Sequence, residues 1–244
     1  MITRKRDELD LSGHHLASVP RNTWRNTSLH VLNLFRNELK HLPPDIARLK
    51  ELRVLIVANN QLRSLPEELS ALRKLKMLDA GHNRIATLPE SFAKLTSVSD
   101  YLYLHDNRLR ALDDCVFGDF IHLRYLNLGD NPLRELPASL GALVKLEELR
   151  LENTGLQTLP SFISNLNTLD ELTLRNNRLT SLPNSFERLQ KLRHLDLRGN
   201  RFARIPDALR ALPKLRKLDL RWNDLRRLPA WLDELRAAGC RVLL

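Results

Sequence analysis

Cysteines and long apolar runs are scarce in this chain of 244 residues. The two cysteines, Cys115 and Cys240, lie far apart and do not resemble a disulfide framework, which favours a reducing compartment. No run of 18 apolar residues occurs, so neither a transmembrane helix nor membrane insertion is expected. The first residues also lack the apolar stretch of a secretory signal. These absences together predict a cytoplasmic protein.

Aromatic residues are also few, at 5% of the chain, whereas apolar residues make up 43%. The core must therefore be aliphatic. Lys and Arg number 39 against 29 for Asp and Glu, which gives a formal net charge of +10. Such an excess attracts nucleic acids, anionic membranes or acidic proteins, but it also serves solubility alone. Composition thus leaves the class of partner open.

Motifs of known catalytic sites are missing as well. The chain contains no Gly-rich phosphate loop and no HExxH, CxxC or GxSxG sequence. Neither cysteine has an evident histidine partner, so both are interpreted as structural. We expect a protein that is not an enzyme and that has no cofactor.

One residue type recurs with a fixed period, and this period organises the chain. Asparagines follow one another at 23 residues, with two steps of 24 around Asn107. A step of 46 contains Thr154 in the same slot, and stepping back from Asn37 places His14 there. We predict one domain over residues 1–244 with ten repeats, whose asparagine-slot residues are His14, Asn37, Asn60, Asn83, Asn107, Asn131, Thr154, Asn177, Asn200 and Asn223.

The repeated unit reads LxxLxLxxNxLxxLPxxIxxLxx, as in residues 169–189. This pattern resembles the leucine-rich-repeat family, and within it the 23-residue LPxxIxxL class of plant intracellular Ras-group-related and bacterial proteins. The resemblance implies an α/β solenoid, a right-handed superhelix with a parallel β-sheet on its concave side and short 3₁₀ or α turns on its convex side. Such a motif is specific for the fold and says little about function.

The leucine spacing gives this fold a physical basis. The segment xLxLx alternates with period two, so it predicts a short strand, and successive strands stack about 4.8 Å apart. The asparagine amide can donate and accept hydrogen bonds, which predicts an asparagine ladder between repeats. Proline follows in nine of the ten repeats, and its fixed φ suits the first position of a helical turn. No repeat can bury its leucines alone, so stability comes from stacking.

The two ends and the fifth repeat depart from the unit. Residues 240–244 predict a capping strand after Gly239, and repeat one must itself be the N-terminal cap. Repeat five has extra residues, and Asp113 takes its proline slot. A local change in curvature and a neutral insertion both remain open there. In repeat five, Phe117 and Phe120 replace the usual aliphatic pair. In repeat one, acids and a histidine give a polar edge: Asp7, Glu8, Asp10 and His14.

The x positions of the strand segment carry the functional prediction, because the concave face presents them to a partner. In the N-terminal half they are apolar and aromatic, and all three tyrosines fall there. Such patches mark interaction sites, although the rings could merely support the sheet. We predict that a protein or peptide binds through Val31, Phe35, Val54, Ile56, Met77, Tyr101, Tyr103, His105 and Tyr125.

The C-terminal half of the same face is charged. Its signs alternate across the columns, so many of these charges could pair laterally. One column, Arg175, Arg198 and Arg221, lacks intervening acids and could grip a carboxylate or phosphate of the partner. The prediction from sequence is therefore a non-enzymatic protein-interaction scaffold with these arginines in its binding surface.

Three alternatives stay open. A bacterial effector-type protein could bind a host target after delivery by a route without a cleaved signal peptide. Basic residues after the asparagine slot could bind nucleic acid along one lateral edge: Lys40, Arg63, Arg84, Arg108, Arg110, Arg134, Arg178, Arg201, Arg226 and Arg227. Histidines and carboxylates at 79, 82, 105, 106 and 130 could hold zinc or manganese, although solvated turn residues are the commoner explanation and no metal is predicted.

Overall fold

The computed structural model describes residues 4, 5 and 7–244, with side chains from Asp7 onward. In this part of the chain, twelve short strands form one sheet whose spatial order follows the sequence order. The strands are β1 (Arg4–Lys5), β2 (Glu8–Asp10), β3 (Val31–Asn33), β4 (Val54–Ile56), β5 (Met77–Asp79), β6 (Tyr101–Tyr103), β7 (Tyr125–Asn127), β8 (Glu148–Arg150), β9 (Glu171–Thr173), β10 (His194–Asp196), β11 (Lys217–Asp219) and β12 (Arg241–Leu243). All neighbours from β2 to β12 pair in parallel, so the chain is an α/β solenoid.

Each strand pairs with the strand of the next repeat, so equivalent positions of successive repeats lie side by side in the sheet. Leu32 of β3 lies beside Leu55 of β4, and Leu55 lies beside Leu78 of β5. These central leucines are fully buried, whereas the residues on either side of each one point away from the core. We call this outward side the concave face, because the bulkier helical segments occupy the opposite side of the solenoid.

The convex side is built from short 3₁₀ helices: Arg21–Arg25, Pro44–Arg48, Glu67–Ala71, Glu90–Lys94, Ala138–Ala142, Ser161–Asn165, Asn184–Arg188 and Asp207–Ala211. One α-helix, α1 (Leu232–Ala237), precedes β12. No helix in the described residues has the length and apolar character needed to cross a membrane.

The repeated proline takes a different place from the one predicted. It is the residue before the helix and not its first helical residue, with φ of −74° at Pro43 and an extended ψ. Its carbonyl accepts a hydrogen bond from the backbone N–H of Ile46 at 3.1 Å, which closes the first turn. The fixed φ of proline therefore sets the entry to the helix, and its missing N–H costs no hydrogen bond.

The asparagine slot links consecutive repeats. The Asn60 side-chain nitrogen donates to the carbonyl of Leu34 at 2.9 Å and to that of Val57 at 3.1 Å. Its oxygen accepts from the N–H of Leu39 at 3.0 Å. One buried side chain thus satisfies backbone groups of two repeats that the aliphatic core would leave unpaired.

Thr154 breaks this linkage and changes the turn before it. Its side chain has no amide oxygen to accept a hydrogen bond from repeat six, and its hydroxyl donates to the side-chain oxygen of Asn177 at 2.8 Å. The N–H of Leu133 bonds to the carbonyl of Asn131 instead, and Arg134 takes a left-handed φ of +63°. The residue in the slot therefore shapes the turn of the preceding repeat.

The ends are covered by strands of different direction. β12 lies within the predicted capping segment and pairs in parallel with β11. At the other end, repeat one is not the edge, because β1 pairs antiparallel with β2 outside it. The predicted N-terminal cap (Asp7, Glu8, Asp10 and His14) is corrected accordingly.

Repeat five has no helix on its convex side, where residues 114–119 form successive turns. Phe117 and Phe120 are both fully buried, and the ring of Phe120 stacks on that of Phe92 with 5.7 Å between centroids. The larger rings fill the space of the usual aliphatic pair. Altered curvature at this repeat stays a prediction.

Candidate functional site

The concave face carries columns of side chains, because each strand lies one repeat from the next. In the first column, Val31, Val54, Met77, Tyr101 and Tyr125 follow one another across five neighbouring strands. Val31, Val54, Met77 and Tyr125 are half-buried and Tyr101 is exposed. The sheet therefore brings these predicted residues together as one apolar strip that ends in the tyrosines.

The tyrosines form the centre of what we call the aromatic cluster, defined as Tyr101, Tyr103, His105 and Tyr125. The ring of Tyr103 lies 4.7 Å from that of Tyr125, and the ring of Tyr101 lies 5.6 Å from that of Tyr125. Tyr101 is 45% exposed, which is high for a ring in contact with two others. Rings at these distances attract one another and hold a defined surface.

Burial sets the protonation of this cluster. It raises the pKa of Tyr103 and that of Tyr125, so both hydroxyls stay protonated and can donate hydrogen bonds. Burial also lowers the pKa of His105, whose ring packs over Gly81 where any Cβ would collide with it. The cluster is therefore uncharged at neutral pH and can pack against an apolar partner surface without desolvating an ion.

Two predicted residues lie apart from the cluster. Ile56 shares the second column with Tyr103, but Asp79 stands between them. Phe35 is 38% exposed and follows β3 in repeat two, so it is separated from His105 by two repeats. Both belong to the concave face without touching the tyrosines in this arrangement.

The arginine column of the C-terminal half is not open as predicted. Arg198 binds Asp196 through two nitrogens at 2.5 and 3.0 Å, and its Nε also lies 3.4 Å from Asp219. Arg221 binds Asp219 in the same way at 2.7 and 2.9 Å. The column contains no acid of its own, but the acids of the neighbouring column reach it.

Arg175 differs from these two arginines. Its Nε is buried and has no hydrogen-bond partner in the described residues. Glu152, one repeat before it, likewise has a buried and unpartnered Oε2, and burial raises the pKa of this carboxyl group. Of the three predicted arginines, Arg175 is the one without an ion-pair partner in the described residues.

A groove of about 640 Å³ joins the two halves of the face, and the sequence reading missed it. Tyr101 and Tyr125 supply its aromatic lining, and most of its other lining side chains are charged. Its other lining residues are Asp100, Arg124, Glu147, Glu148, Thr168, Asp170, Glu171, Lys191 and Arg193. Five of its lining residues directly precede a strand and so lie outside the x-position columns: Asp100, Arg124, Glu147, Asp170 and Arg193.

Comparison with known proteins places this geometry in a family. A family model described as a leucine-rich repeat region matches residues 102–237, and a second, described as a leucine rich repeat, matches residues 27–85. The chain belongs to the leucine-rich-repeat family. Proteins of this family generally act as protein-interaction scaffolds and are typically not enzymes.

Solved structures of other leucine-rich-repeat proteins are similar to this chain. A leucine-rich-repeat protein of Leptospira interrogans has a TM-score of 0.89 at 29% identity, over 96% of this chain and 65% of the other. A TDR receptor has a TM-score of 0.83 at 26% identity, over 97% of this chain and 42% of the other. The chain thus spans less than two thirds of either structure. No curated protein matches it.

The histidines and carboxylates at 79, 82, 105, 106 and 130, weighed above as an alternative metal site, do not form a group of three converging ligand atoms in the described residues. His82 Nδ1 contacts Asp106 Oδ2 at 2.5 Å, but Asp130 accepts a hydrogen bond from Asn153 at 2.7 Å instead. Asp79 accepts from the N–H of Gly81 at 3.1 Å. In the part of the chain that the structure describes, three ligand atoms converge at a different place, formed by Asp170, Glu171 and His194.

An exposed tryptophan marks the C-terminal end of the same face. Trp222 is 69% exposed and has a left-handed φ of +60°, which is rare for a bulky side chain. Its ring lies 5.5 Å from the guanidinium of Arg221 and 5.9 Å from that of Arg198. The sequence shows the tryptophan but not how far its side chain is exposed.

The lateral basic edge consists of the ten Lys and Arg residues already named after the asparagine slots, from Lys40 to Arg227. All ten are exposed. None of them takes part in an ion pair with a partner in the described part of the chain. Their charge is therefore available to an anionic surface.

Proposed function

We propose that this leucine-rich-repeat protein is a non-enzymatic scaffold that binds a protein or peptide segment on its concave face. One observation carries the proposal: three tyrosine rings in mutual contact, Tyr101 exposed and Tyr103 and Tyr125 half-buried, form an uncharged surface at the end of an apolar strip. Tyrosine is enriched among residues that dominate binding energy, and exposed apolar patches of this kind mark interaction sites.

The groove beside the cluster gives the proposed partner a direction. An apolar side chain of the partner would pack on Tyr101 and Tyr125, and polar groups would meet charged lining residues such as Glu148 and Lys191. The strands are fixed by the parallel ladder, so little backbone entropy is lost on binding. The charged half would then contribute orientation and association rate more than affinity.

Substitution of the most central ring tests the proposal. We expect Tyr103→Ala to weaken binding by roughly 2 kcal/mol, about 30-fold, if the ring is a hot spot. Partners captured by the wild type, but not by a Tyr101/Tyr103/Tyr125 triple alanine variant, would be identified and titrated by calorimetry against Tyr103→Ala.

Arg198→Ala is the matched control, because Arg198 lies on the same face but is saturated by Asp196. We expect this variant to keep most of the affinity. Equal affinity of the Tyr103→Ala protein and the wild type for every partner captured in this way would reject the cluster as the binding surface.

Nucleic-acid binding by the lateral basic edge is the second candidate function. It is favoured by ten exposed cations without ion-pair partners along one side of the described solenoid. Such binding would release counterions, so its affinity would fall steeply with salt. Titration of a mixed-sequence duplex at increasing salt tests it, and an absence of binding at low salt would remove this candidate.

The number of repeats, their class and the cellular location are also part of the proposal. We propose that the ten predicted repeats over residues 1–244 act as one unit of the 23-residue LPxxIxxL class, in a reducing cytoplasm. The Leptospira neighbour makes a bacterial effector-type role the alternative setting for the same concave face. Localisation of a tagged chain in its native cell would separate a resident cytoplasmic protein from a delivered one.

A further inference from the structure

Three metal-binding side chains converge at one corner of the groove. Glu171 begins β9 and His194 begins β10, and the sheet register places these two residues side by side. Asp170 directly precedes Glu171. One ligand atom from each of the three lies within 4.8 Å of the other two, and His194 Nδ1 is already 2.8 Å from Glu171 Oε1.

The backbone that carries these side chains is fixed. The N–H of Asp170 donates to the carbonyl of Glu147 at 2.8 Å, and the carbonyl of Asp170 accepts from Arg193 and His194 at 2.8 and 3.0 Å. The leucines next to them, Leu172 and Leu195, are buried. Only side-chain rotation is therefore needed to adjust the three ligands.

The distances suit a small divalent cation. Zinc binds imidazole nitrogen and carboxylate oxygen at about 2.0–2.2 Å, so ligand atoms around a tetrahedral ion lie roughly 3.4 Å apart. The ligand atoms now lie between 2.8 Å (His194 Nδ1 to Glu171 Oε1) and at most 4.8 Å apart, so the first distance must widen to admit the ion. The side chains of Asp170, Glu171 and His194 are 36%, 42% and 45% exposed, which leaves them room to rotate. Their exposure leaves the fourth position open to water.

Neighbouring charges both help and compete. Glu148 lies beside Glu171 across the sheet and adds negative charge, although it binds Arg150 at 2.6 Å. Arg193 Nε lies 3.3 Å from Asp170 Oδ1 and must move aside for a metal. The side chain of Arg193 is 57% exposed, so it can turn into solvent at little cost.

Other histidine–carboxylate pairs of the chain lack the third ligand. His82 pairs with Asp106 and His30 pairs with Asp7, yet neither pair belongs to a group of three in the described residues. Zinc held by protein side chains requires three or four of them. These pairs therefore offer the same kinds of ligand but too few of them for a zinc site.

We propose that Asp170, Glu171 and His194 form a binding site for a divalent transition-metal ion of the zinc type. Zinc takes both imidazole and carboxylate ligands, whereas Mg²⁺ and Ca²⁺ prefer oxygen donors alone. The ion takes the place of the proton in the hydrogen bond between His194 and Glu171, and water completes its coordination. The site does not depend on the proposed partner binding, although it lies at the groove.

Calorimetric titration with ZnCl₂ in a non-chelating buffer tests the site, using a chain without a histidine tag. The exposed thiol of Cys115 is removed by Cys115→Ser in every variant, because a thiolate binds zinc by itself. We expect one equivalent of zinc to bind, and MgCl₂ to give no comparable heat. Loss of an outer-shell partner of a metal ligand already costs roughly 10-fold or more, so His194→Ala is expected to cost at least 10-fold.

His82→Ala is the matched control, since it removes a histidine paired with a carboxylate in the same way. Zinc affinity unchanged in His82→Ala but lost in His194→Ala and Glu171→Gln would support the site. Equal affinity in His194→Ala and its parent, or loss in His82→Ala alone, would overturn it. Unchanged circular dichroism of each variant confirms that the fold is intact.

Discussion

The two halves of the concave face use one backbone for opposite purposes. From repeat two to repeat six, the outward residues are mostly apolar or aromatic, and their rings contact one another. From repeat seven to repeat ten they are mostly charged, and they satisfy one another through pairs such as Arg221–Asp219 at 2.7 Å. The repeat therefore determines the position of each outward side chain but not its chemical type.

Two carboxylates at equivalent strand positions show the contrast most clearly. Asp79 ends β5, and burial raises its pKa because no Lys or Arg lies against it. Asp219 ends β11, where burial alone would raise the pKa, but hydrogen bonds from Arg221 and two guanidinium charges lower it overall. At equivalent strand positions, the charged form of the carboxylate is therefore disfavoured in Asp79 and favoured in Asp219.

The largest expected effect concerns the framework that both halves share. Asn60→Ala and Asn177→Ala should each lower the free energy of unfolding by about 3 kcal/mol, because each leaves buried backbone groups unpaired. Chemical denaturation measures both. Similar losses would show that the halves differ only at the surface, whereas a small loss in one half would show that their frameworks differ too.

A smaller effect is expected in the charged half, where acids and arginines pair with one another. Asp219→Asn should lower the free energy of unfolding by about 2 kcal/mol at pH 7, because the Asp219 side chain is 2% exposed and holds two arginines. Its pKa is lowered in the folded state, so this stabilisation is present above the ordinary value of 3.8 and disappears as the pH falls through the folded value.

Denaturation of Asp219→Asn and the wild type between pH 7 and pH 2.5 checks this dependence. The exposed Asp224→Asn variant serves as a control that should leave stability unchanged. A gap between the Asp219→Asn and wild-type proteins that persists at the lowest pH would contradict a role for the charge.

The smallest effect has the opposite sign. Asp79→Asn should raise the free energy of unfolding at pH 7 by roughly 0.5 kcal/mol, since a raised pKa means that the charged form is strained, and solvent screens part of the strain. The gain should shrink as the pH falls through the raised pKa of the folded state and should vanish below 3.8, where the wild-type carboxyl group is protonated in both states. Destabilisation at pH 7 would mean that Asp79 contributes a favourable contact.

The sequence predicted the framework of the fold because periodic residues determine it. Strand positions, the linking role of Asn60 and the outward tyrosines follow from spacing alone. The pairing of Arg198 with Asp196 did not follow, because side chains two residues apart on a strand meet only through particular rotamers. The turn rearranged by Thr154 also lay beyond pattern reading, since it depends on which atom accepts a hydrogen bond.

The groove and the convergence of Asp170 on His194 were missed for a related reason. Asp170 precedes the strand and so lies outside the columns that alternate with the leucines. Its closeness to His194 depends on side-chain direction at the start of two strands. Comparing residues one repeat apart, including those just before each strand, would have shown the candidates but not their distances.

The central claim is that the aromatic half binds a partner and the charged half largely satisfies itself. The most direct test compares the affinity of one captured partner for two triple variants, Tyr101/Tyr103/Tyr125→Ala and Arg150/Arg198/Arg221→Ala. We predict that the tyrosine variant loses at least about 100-fold in affinity while the arginine variant loses less than about 10-fold. Equal losses, or a larger loss in the arginine variant, would contradict the account.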